Sequence, residues 1–311
     1  MAKILITESV HPIGPELLTA AGHTVVYANR DMDVIRREIV DADAVLVRII
    51  ELPGSLLATA KNLKIVSKHG VGYDNIDLDY CKSHGVAVTI TPNANSLSVA
   101  EHAFTLMLTL AKNIIPVSNE YHTVGFAAKN HAPGIEMTGK TLGLIGMGRI
   151  GKHVLHMFRD GLDMHVIVYD PYISEVPEGV ERVDDLSELL RRADVVTLHC
   201  LLTDETRKLI DRERLALMKP TALLINCARG PIVDEAALIE ALENGRLAGA
   251  GLDVTDPEPV APDSPLFKLP NVIVTPHYAP TTVESATRVS KIAAENINAV
   301  LAGQEPVGRI V

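Results

Sequence analysis

Six residues, Gly146-Met147-Gly148-Arg149-Ile150-Gly151, have the spacing of a turn that can cradle a pyrophosphate. The apolar run Thr141–Ile145 leads into them, and a helical pattern from Arg149 to about Phe158 leads out. In that setting Gly146 permits the tight turn, Gly148 lets backbone approach a phosphate, and Gly151 lets the helix pack on its strand. The unpaired N–H groups at the helix start, with Arg149 and Ile150, then face an anion. Asp170 closes the next apolar run, Val166–Tyr169, nineteen residues beyond Gly151. A carboxylate there can accept hydrogen bonds from both hydroxyls of an adenosine ribose. The following residues, Pro171-Tyr172-Ile173-Ser174, offer no Arg or Lys to a 2′-phosphate. The expected cofactor is NAD, not NADP.

Hydride transfer at a hydroxyl or ketone needs a proton donor or acceptor, and a cation to hold a neighbouring carboxylate. Three apolar runs end in such groups. Arg229 follows Leu223–Asn226, Glu258 follows Leu252-Asp253-Val254, and His277 follows Val272–Thr275 after Pro276. Ligands of an open α/β sheet sit outside the carboxyl ends of the strands, so all three can face one crevice. Cys227, among apolar neighbours, is not expected to act as a nucleophile. No H-x-H or H-E-x-x-H spacing suggests a metal, and His11, His23, His84, His122 and His131 read as surface residues.

These groups need strands to carry them. Lys3–Thr7, Thr24–Ala28, Ala44–Arg48, Lys64–Lys68 and Ala87–Ile90 read as buried parallel strands, separated by helical patterns such as Pro15–Ala21 and Val34–Val40. Alternation restarts at Thr141–Ile145 and continues through Val166–Tyr169, Val195–His199, Ala222–Asn226, Gly249–Val254 and Val272–Thr275. The last helix is predicted over Val283–Leu301. Between the two series, Ser98-Val99-Ala100-Glu101 has the form of a capping box opening an apolar helix through about Lys112, and Gly125–Gly139 reads as loop. The fold class is therefore α/β, with two doubly wound parallel-sheet domains.

Composition narrows the function. The 311 residues are 47% hydrophobic with a formal charge of −10 and no basic run, which argues against nucleic acid as a partner. Aromatic residues are 4%, with no Trp, so base stacking is not expected. Three cysteines without a C-x-x-C read as free thiols in a reducing compartment. No apolar stretch reaches the ~18 residues of a membrane span, and the run after Met1 is too short for a signal peptide. A cytoplasmic location is expected.

Together these motifs resemble the D-isomer-specific 2-hydroxyacid dehydrogenases over essentially the whole length, nearest the phosphoglycerate dehydrogenase and hydroxypyruvate/glyoxylate reductase branch. The resemblance rests on Lys68-His69-Gly70-Val71-Gly72-Tyr73-Asp74-Asn75-Ile76-Asp77, Gly146–Gly151, Asn226–Gly230, Asp253–Pro259 and Pro276-His277. It implies that His277 exchanges a proton with the substrate oxygen, that Glu258 supports His277, and that Arg229 binds the substrate carboxylate and carbonyl. It also implies that the backbone amides of Val71 and Gly72 hold the carboxylate, with His69 beside that loop. Arg48, at the end of Ala44–Val47, is a substrate candidate by its place alone and could instead pair with a surface carboxylate. Asp253 would bind the nicotinamide amide. His199, Thr206, Cys227, Ala228, Arg229, His277, Tyr278, Ala279 and Pro280 would complete the cofactor pocket.

The resemblance further implies a discontinuous architecture. Residues 1–97 with 284–311 would form a flavodoxin-like substrate domain, and 98–283 a Rossmann NAD-binding domain. It implies a homodimer, with the apolar helix from Ser98 burying against a second copy. With 34 residues after His277, a C-terminal regulatory domain and serine feedback through it are not expected. Leu201 stands where the family usually has Pro, Pro280 where it has a small residue, and His69 where it has a smaller one. A dinucleotide-sensing binding protein, like the family's corepressors, is the alternative, although Arg229, Glu258 and His277 are all present.

Overall fold

The computed structural model describes residues 1–311, and contacts divide them into two units: 1–95 with 280–311, and 96–279. The first unit runs Lys3–Ile6 (β1), Ile13–Ala20 (α1), Thr24–Tyr27 (β2), Met32–Glu38 (α2), Ala44–Val47 (β3), Gly54–Leu57 (α3), Ile65–Lys68 (β4), Leu78–Ser83 (α4) and Ala87–Thr89 (β5). Its sheet is parallel in the order β2-β1-β3-β4-β5, the flavodoxin-like arrangement. Side chains of Ile4–Ile6 and Ala44–Val47 are buried on both faces, so these strands read as continuous apolar runs. Asp31 and Asp77 cap α2 and α4 by accepting from backbone N–H groups of the first turn.

The second unit starts with two helices, Ser96–Ala111 (α5) and Ile114–Val124 (α6). The first winding is Thr141–Ile145 (β6), Arg149–Leu162 (α7), His165–Tyr169 (β7), Val180–Arg182 (β8), Leu186–Arg192 (α8) and Val195–Leu198 (β9). The second is Arg212–Leu215 (α9), Leu223–Asn226 (β10), Glu235–Glu243 (α10), Gly249–Leu252 (β11) and Val272–Val274 (β12). All seven strands are parallel in the order β12-β11-β10-β9-β6-β7-β8, a Rossmann sheet whose order reverses between β6 and β9. Val283–Leu301 (α11) belongs to the first unit. Thr282 caps it, and Ala293, Ala294 and Ile297 pack on Ile4, Ile6, Leu46 and Ile65. The two doubly wound sheets are those the alternation predicts.

Local departures have local causes. The helix expected to open at Ser98 begins at Ser96, so Ser98 lies buried inside the first turn and the capping-box reading is corrected. That helix needs no second copy to cover it. Ala100, Ala103, Leu106 and Met107 are buried in a core with Leu142, Leu144, Val154 and Phe158 of the same unit. The segment read as loop after Gly125 contains a 3₁₀ stretch, Gly125–Asn130. Helix α6 escapes the sequence reading because it buries none of its residues and so shows no inward stripe. Strand β8 is missed because Val180-Glu181-Arg182 is a three-residue, mostly charged sheet edge. His11 and His23 are half-buried rather than surface, each accepting a backbone N–H at Nδ1.

Candidate active site

In the second unit, strand register sets the site. Ile145, Leu198, Asn226, Leu252 and Val274 pair across the sheet in one row. The residues just beyond that row are therefore neighbours at one sheet edge: the glycine turn, His199, the Arg229 turn, Asp253 and the His277 turn.

The glycine turn is built to leave room. Gly146 has φ +89°, and a Cβ on it would lie 2.7 Å from Cys200 N. A Cβ on Gly151 would overlap Gly146 O, whereas one on Gly148 would meet nothing within 4 Å. That open cradle, at the N-terminus of α7 with Arg149 and Gly148 exposed, fits a pyrophosphate. Asp170 braces it. Its Oδ2 accepts Met147 N at 2.9 Å and its Oδ1 accepts Tyr172 N at 3.0 Å. Each oxygen keeps acceptor capacity, and the side chain is half-exposed. Tyr172 Oη donates to Glu205 Oε2 at 2.8 Å, which adds a second carboxylate nearby.

Other cofactor candidates act on their own backbone. Thr206 Oγ1 donates to Leu201 O at 2.6 Å and accepts from Thr203 N at 2.7 Å, closing the loop that carries Leu201. His199 contacts Thr197 Oγ1 at 2.8 Å through Nε2, and burial pushes its pKa down to about 3. Burial raises the Cys227 thiol well above its ordinary value, in keeping with an inert role. Tyr278 is exposed and Ala279 buried, while Pro280 opens the return to the first unit.

The His277 turn carries the clearest chemistry. His277 Nδ1 lies 2.6 Å from Glu258 Oε1, both side chains about one-third exposed. An ionised carboxylate only accepts, so Nδ1 carries a hydrogen and Nε2 remains to exchange a proton with a ligand. The backbone at His277 is strained, with φ +53° at a non-glycine residue. It is held there: His277 N donates to Asp253 O at 2.8 Å. Asp253 Oδ1 accepts Thr275 Oγ1 at 2.6 Å and Tyr278 N at 2.7 Å, and Oδ2 accepts Ala279 N at 2.9 Å. Burial alone would raise the Asp253 carboxyl; the hydrogen bonds from His102, Thr275, Ala279 and Tyr278 outweigh it and hold the group below its ordinary value. At 1% exposure, Asp253 anchors the turn through these bonds.

Arg229 sits on a turn fixed by Asn226, whose side chain donates to Arg229 O at 2.9 Å and accepts from Ala228 N at 3.0 Å. Its guanidinium donates to Ala228 O at 2.8 Å. A Cβ on Gly230 would overlap Thr255 O, so glycine lets this turn press against the loop leading to Glu258. Glu235, in the first turn of α10, accepts Asp256 N at 2.9 Å and clamps the same loop.

In the first unit, Val47 pairs with Lys68, so Arg48 and His69 leave adjacent strands side by side. Glu8 accepts Arg48 N at 2.7 Å and Ile49 N at 2.9 Å, while Lys68 Nζ donates to Arg48 O and Asn75 Oδ1. This buried Glu and Lys grip the segment after β3 from its N–H and C=O sides. Burial first, then the charges of Arg48 and Lys68, push His69 down to about 3, so it is neutral; its Nε2 is buried without a hydrogen-bond partner.

Comparison with known proteins decides the lineage. Residues 104–279 match the family described as D-isomer specific 2-hydroxyacid dehydrogenase, NAD binding domain. A glyoxylate reductase from Thermofilum pendens is 37% identical over 319 aligned residues, covering 98% of this chain and 93% of that one. The chain belongs to the D-isomer-specific 2-hydroxyacid dehydrogenases. The D-3-phosphoglycerate dehydrogenase of Methanocaldococcus jannaschii is 42% identical over 308 residues, but the chain spans 58% of that relative's length. The crystal structure of the TT0316 protein from Thermus thermophilus superposes with a TM-score of 0.93 at 34% identity, covering 99% of this chain and 100% of that one. Around these candidate groups, Glu8, His102 and Glu235 are supporting residues that motif reading passes over, each bonded to backbone or to another side chain. Lys68 opens the Lys68–Asp77 motif, but the motif does not announce its hold on Arg48 O and Asn75 Oδ1.

Proposed function

We propose that the protein interconverts a D-2-hydroxy acid and its 2-keto acid with NAD, on a substrate of the 3-phosphoglycerate or hydroxypyruvate/glyoxylate type. The observation that carries this reading is the His277–Glu258 pair, Nδ1 to Oε1 at 2.6 Å, on strand ends beside that of Arg229. The cofactor, when bound at the glycine turn, supplies or accepts the hydride. His277 Nε2 gives the proton to the nascent alkoxide during reduction and takes it back in oxidation. Glu258 balances the imidazolium that precedes reduction, and the Arg229 guanidinium holds carboxylate and carbonyl oxygens. Arg48, His69 and the N–H groups of Val71 and Gly72 are proposed as further substrate-binding groups. Gly146, Gly148, Arg149, Ile150, Gly151 and Asp170 are proposed for the dinucleotide. The test is NADH consumption with glyoxylate, hydroxypyruvate, phosphohydroxypyruvate, pyruvate and longer 2-keto acids. Saturable turnover of a short keto acid is expected; turnover of none by folded, NADH-binding protein contradicts the reading.

We also infer a homodimer, on a surface other than the one the sequence suggests. Ile114, Ile115, Tyr121, Val124 and Ile135 are exposed, with Phe126 74% exposed, along α6 and the segment after it. Such clustering of large apolar side chains marks an association surface. Sedimentation is expected to give a dimer at micromolar concentration, shifted toward monomer by the double substitution Tyr121→Asp, Phe126→Asp. A wild-type monomer is the contrary result. No helix is long and apolar enough to cross a membrane. The free thiols of Cys81, Cys200 and Cys227 support a reducing, cytoplasmic setting.

A further inference from the structure

Helix α5 lies across β11 in a register that small residues permit. A Cβ on Gly251 would lie 3.0 Å from Leu106 Cβ, and one on Gly249 would lie 3.5 Å from Leu110 Cδ2. Helix and strand therefore run antiparallel here, four helix residues to two strand residues. The spacings agree, at about 6 Å for four residues of helix and about 6.7 Å for two of strand. One turn before Leu106 stands His102, which by the same register meets position 253, just past the end of β11. There its Nε2 lies 3.0 Å from Thr275 Oγ1 and 3.4 Å from Asp253 Oδ1, with its ring edge-to-face against Tyr278.

The hydrogen count fixes the direction of this contact. Thr275 has one hydroxyl proton, and it goes to Asp253 Oδ1 at 2.6 Å. Thr275 Oγ1 can therefore only accept from His102, so the hydrogen sits on His102 Nε2. The chain His102 → Thr275 → Asp253 is polarised toward the carboxylate that also holds Tyr278 N and Ala279 N. Thr275, Tyr278 and Ala279, around His277, are thus tied through Asp253 to one side chain on a different element.

We propose that His102 is a positioning residue for the proton-transfer step: by locking Thr275 and Asp253 it holds the strained His277 turn, and with it Nε2 of His277, in register for the substrate oxygen. This rests on the role of His277 proposed above. His102→Leu removes the donor while keeping bulk, and His102→Gln keeps an N–H close to the Nε2 position. Two readouts apply: steady-state reduction of hydroxypyruvate or glyoxylate with NADH, and the imidazole nitrogen resonances of His277 in the free protein. Expected for His102→Leu is a fall of about tenfold in kcat with KM for the keto acid unchanged within about twofold, the size for a small misplacement of a reacting group. The His277 resonances should move from a single Nδ1–H form toward mixed tautomers, and Gln should restore both readouts. Thr275→Val breaks the same link and should behave like His102→Leu, alone or combined with it, which keeps the test open if the Leu variant fails to fold. Wild-type kcat and unmoved His277 resonances in His102→Leu or Thr275→Val overturn the proposal, as does a loss that Gln does not repair. Full activity in His277→Ala would instead overturn the proton-transfer reading and leave the resonance test of His102 standing.

Discussion

Replacing His277 with alanine is expected to lower keto-acid reduction by at least ~10²-fold in turnover, because no other group at this sheet edge presents an exchangeable proton from so supported a position. Glu258→Gln should act differently. It keeps a side chain able to accept from Nδ1, 2.6 Å away in the wild type, but deletes the negative charge that favours the imidazolium. Glu258→Gln should therefore lower kcat for reduction by less than His277→Ala does, with KM for the keto acid little changed. Steady-state kinetics of both variants check this. Wild-type kcat in Glu258→Gln would break the pairing, and near-normal turnover in His277→Ala would remove His277 from the chemistry.

The second large effect concerns the cofactor. NADH should be preferred over NADPH by at least ~10²-fold in kcat/KM, about 2.7 kcal/mol. Asp170 keeps acceptor capacity for ribose hydroxyls after bracing Met147 N and Tyr172 N. A 2′-phosphate there would meet the charges of Asp170 and, through Tyr172, Glu205, without a cation in Pro171–Ser174 to offset them. Asp170→Ala should shrink the preference mainly by raising KM for NADH. It should also loosen the glycine turn, since Met147 N loses its acceptor. Comparable rates with both cofactors in the wild type would contradict this assignment.

The parallel sheets were legible because their strands are buried on both faces and leave unbroken apolar runs, as at Ala44–Val47 and Leu223–Asn226. The final helix was legible as one long helical run, Val283–Leu301, and the structure adds Thr282 as its N-cap. Periodicity does not report what a residue packs on. Helix α5 looked too apolar for a monomer, yet its own unit covers it, while α6, with no inward face, carries the exposed apolar side chains. At the site, the residues with motifs (Gly146–Gly151, Asp170, Arg229, Glu258, His277) announce themselves by type and place at strand ends. The residues that hold them do not. Asp253, which the family resemblance assigns to the nicotinamide amide, also anchors a strained turn, and nothing in its sequence position announces that. His102 and Glu235 lie far along the chain from what they hold, and only the packing of α5 on β11 and of α10 behind the Glu258 loop brings them there.

The central claim is that hydride and proton reach the two ends of one carbonyl, with His277 supplying the proton. Its most direct test is product analysis after reducing a keto-acid substrate with NADH carrying deuterium at both C4 positions. The expected product is the D-2-hydroxy acid with one deuterium at C2, formed by the wild type and lost together with turnover in His277→Ala. An L product, a product without deuterium, or a labelled D product formed equally well by His277→Ala would contradict the account.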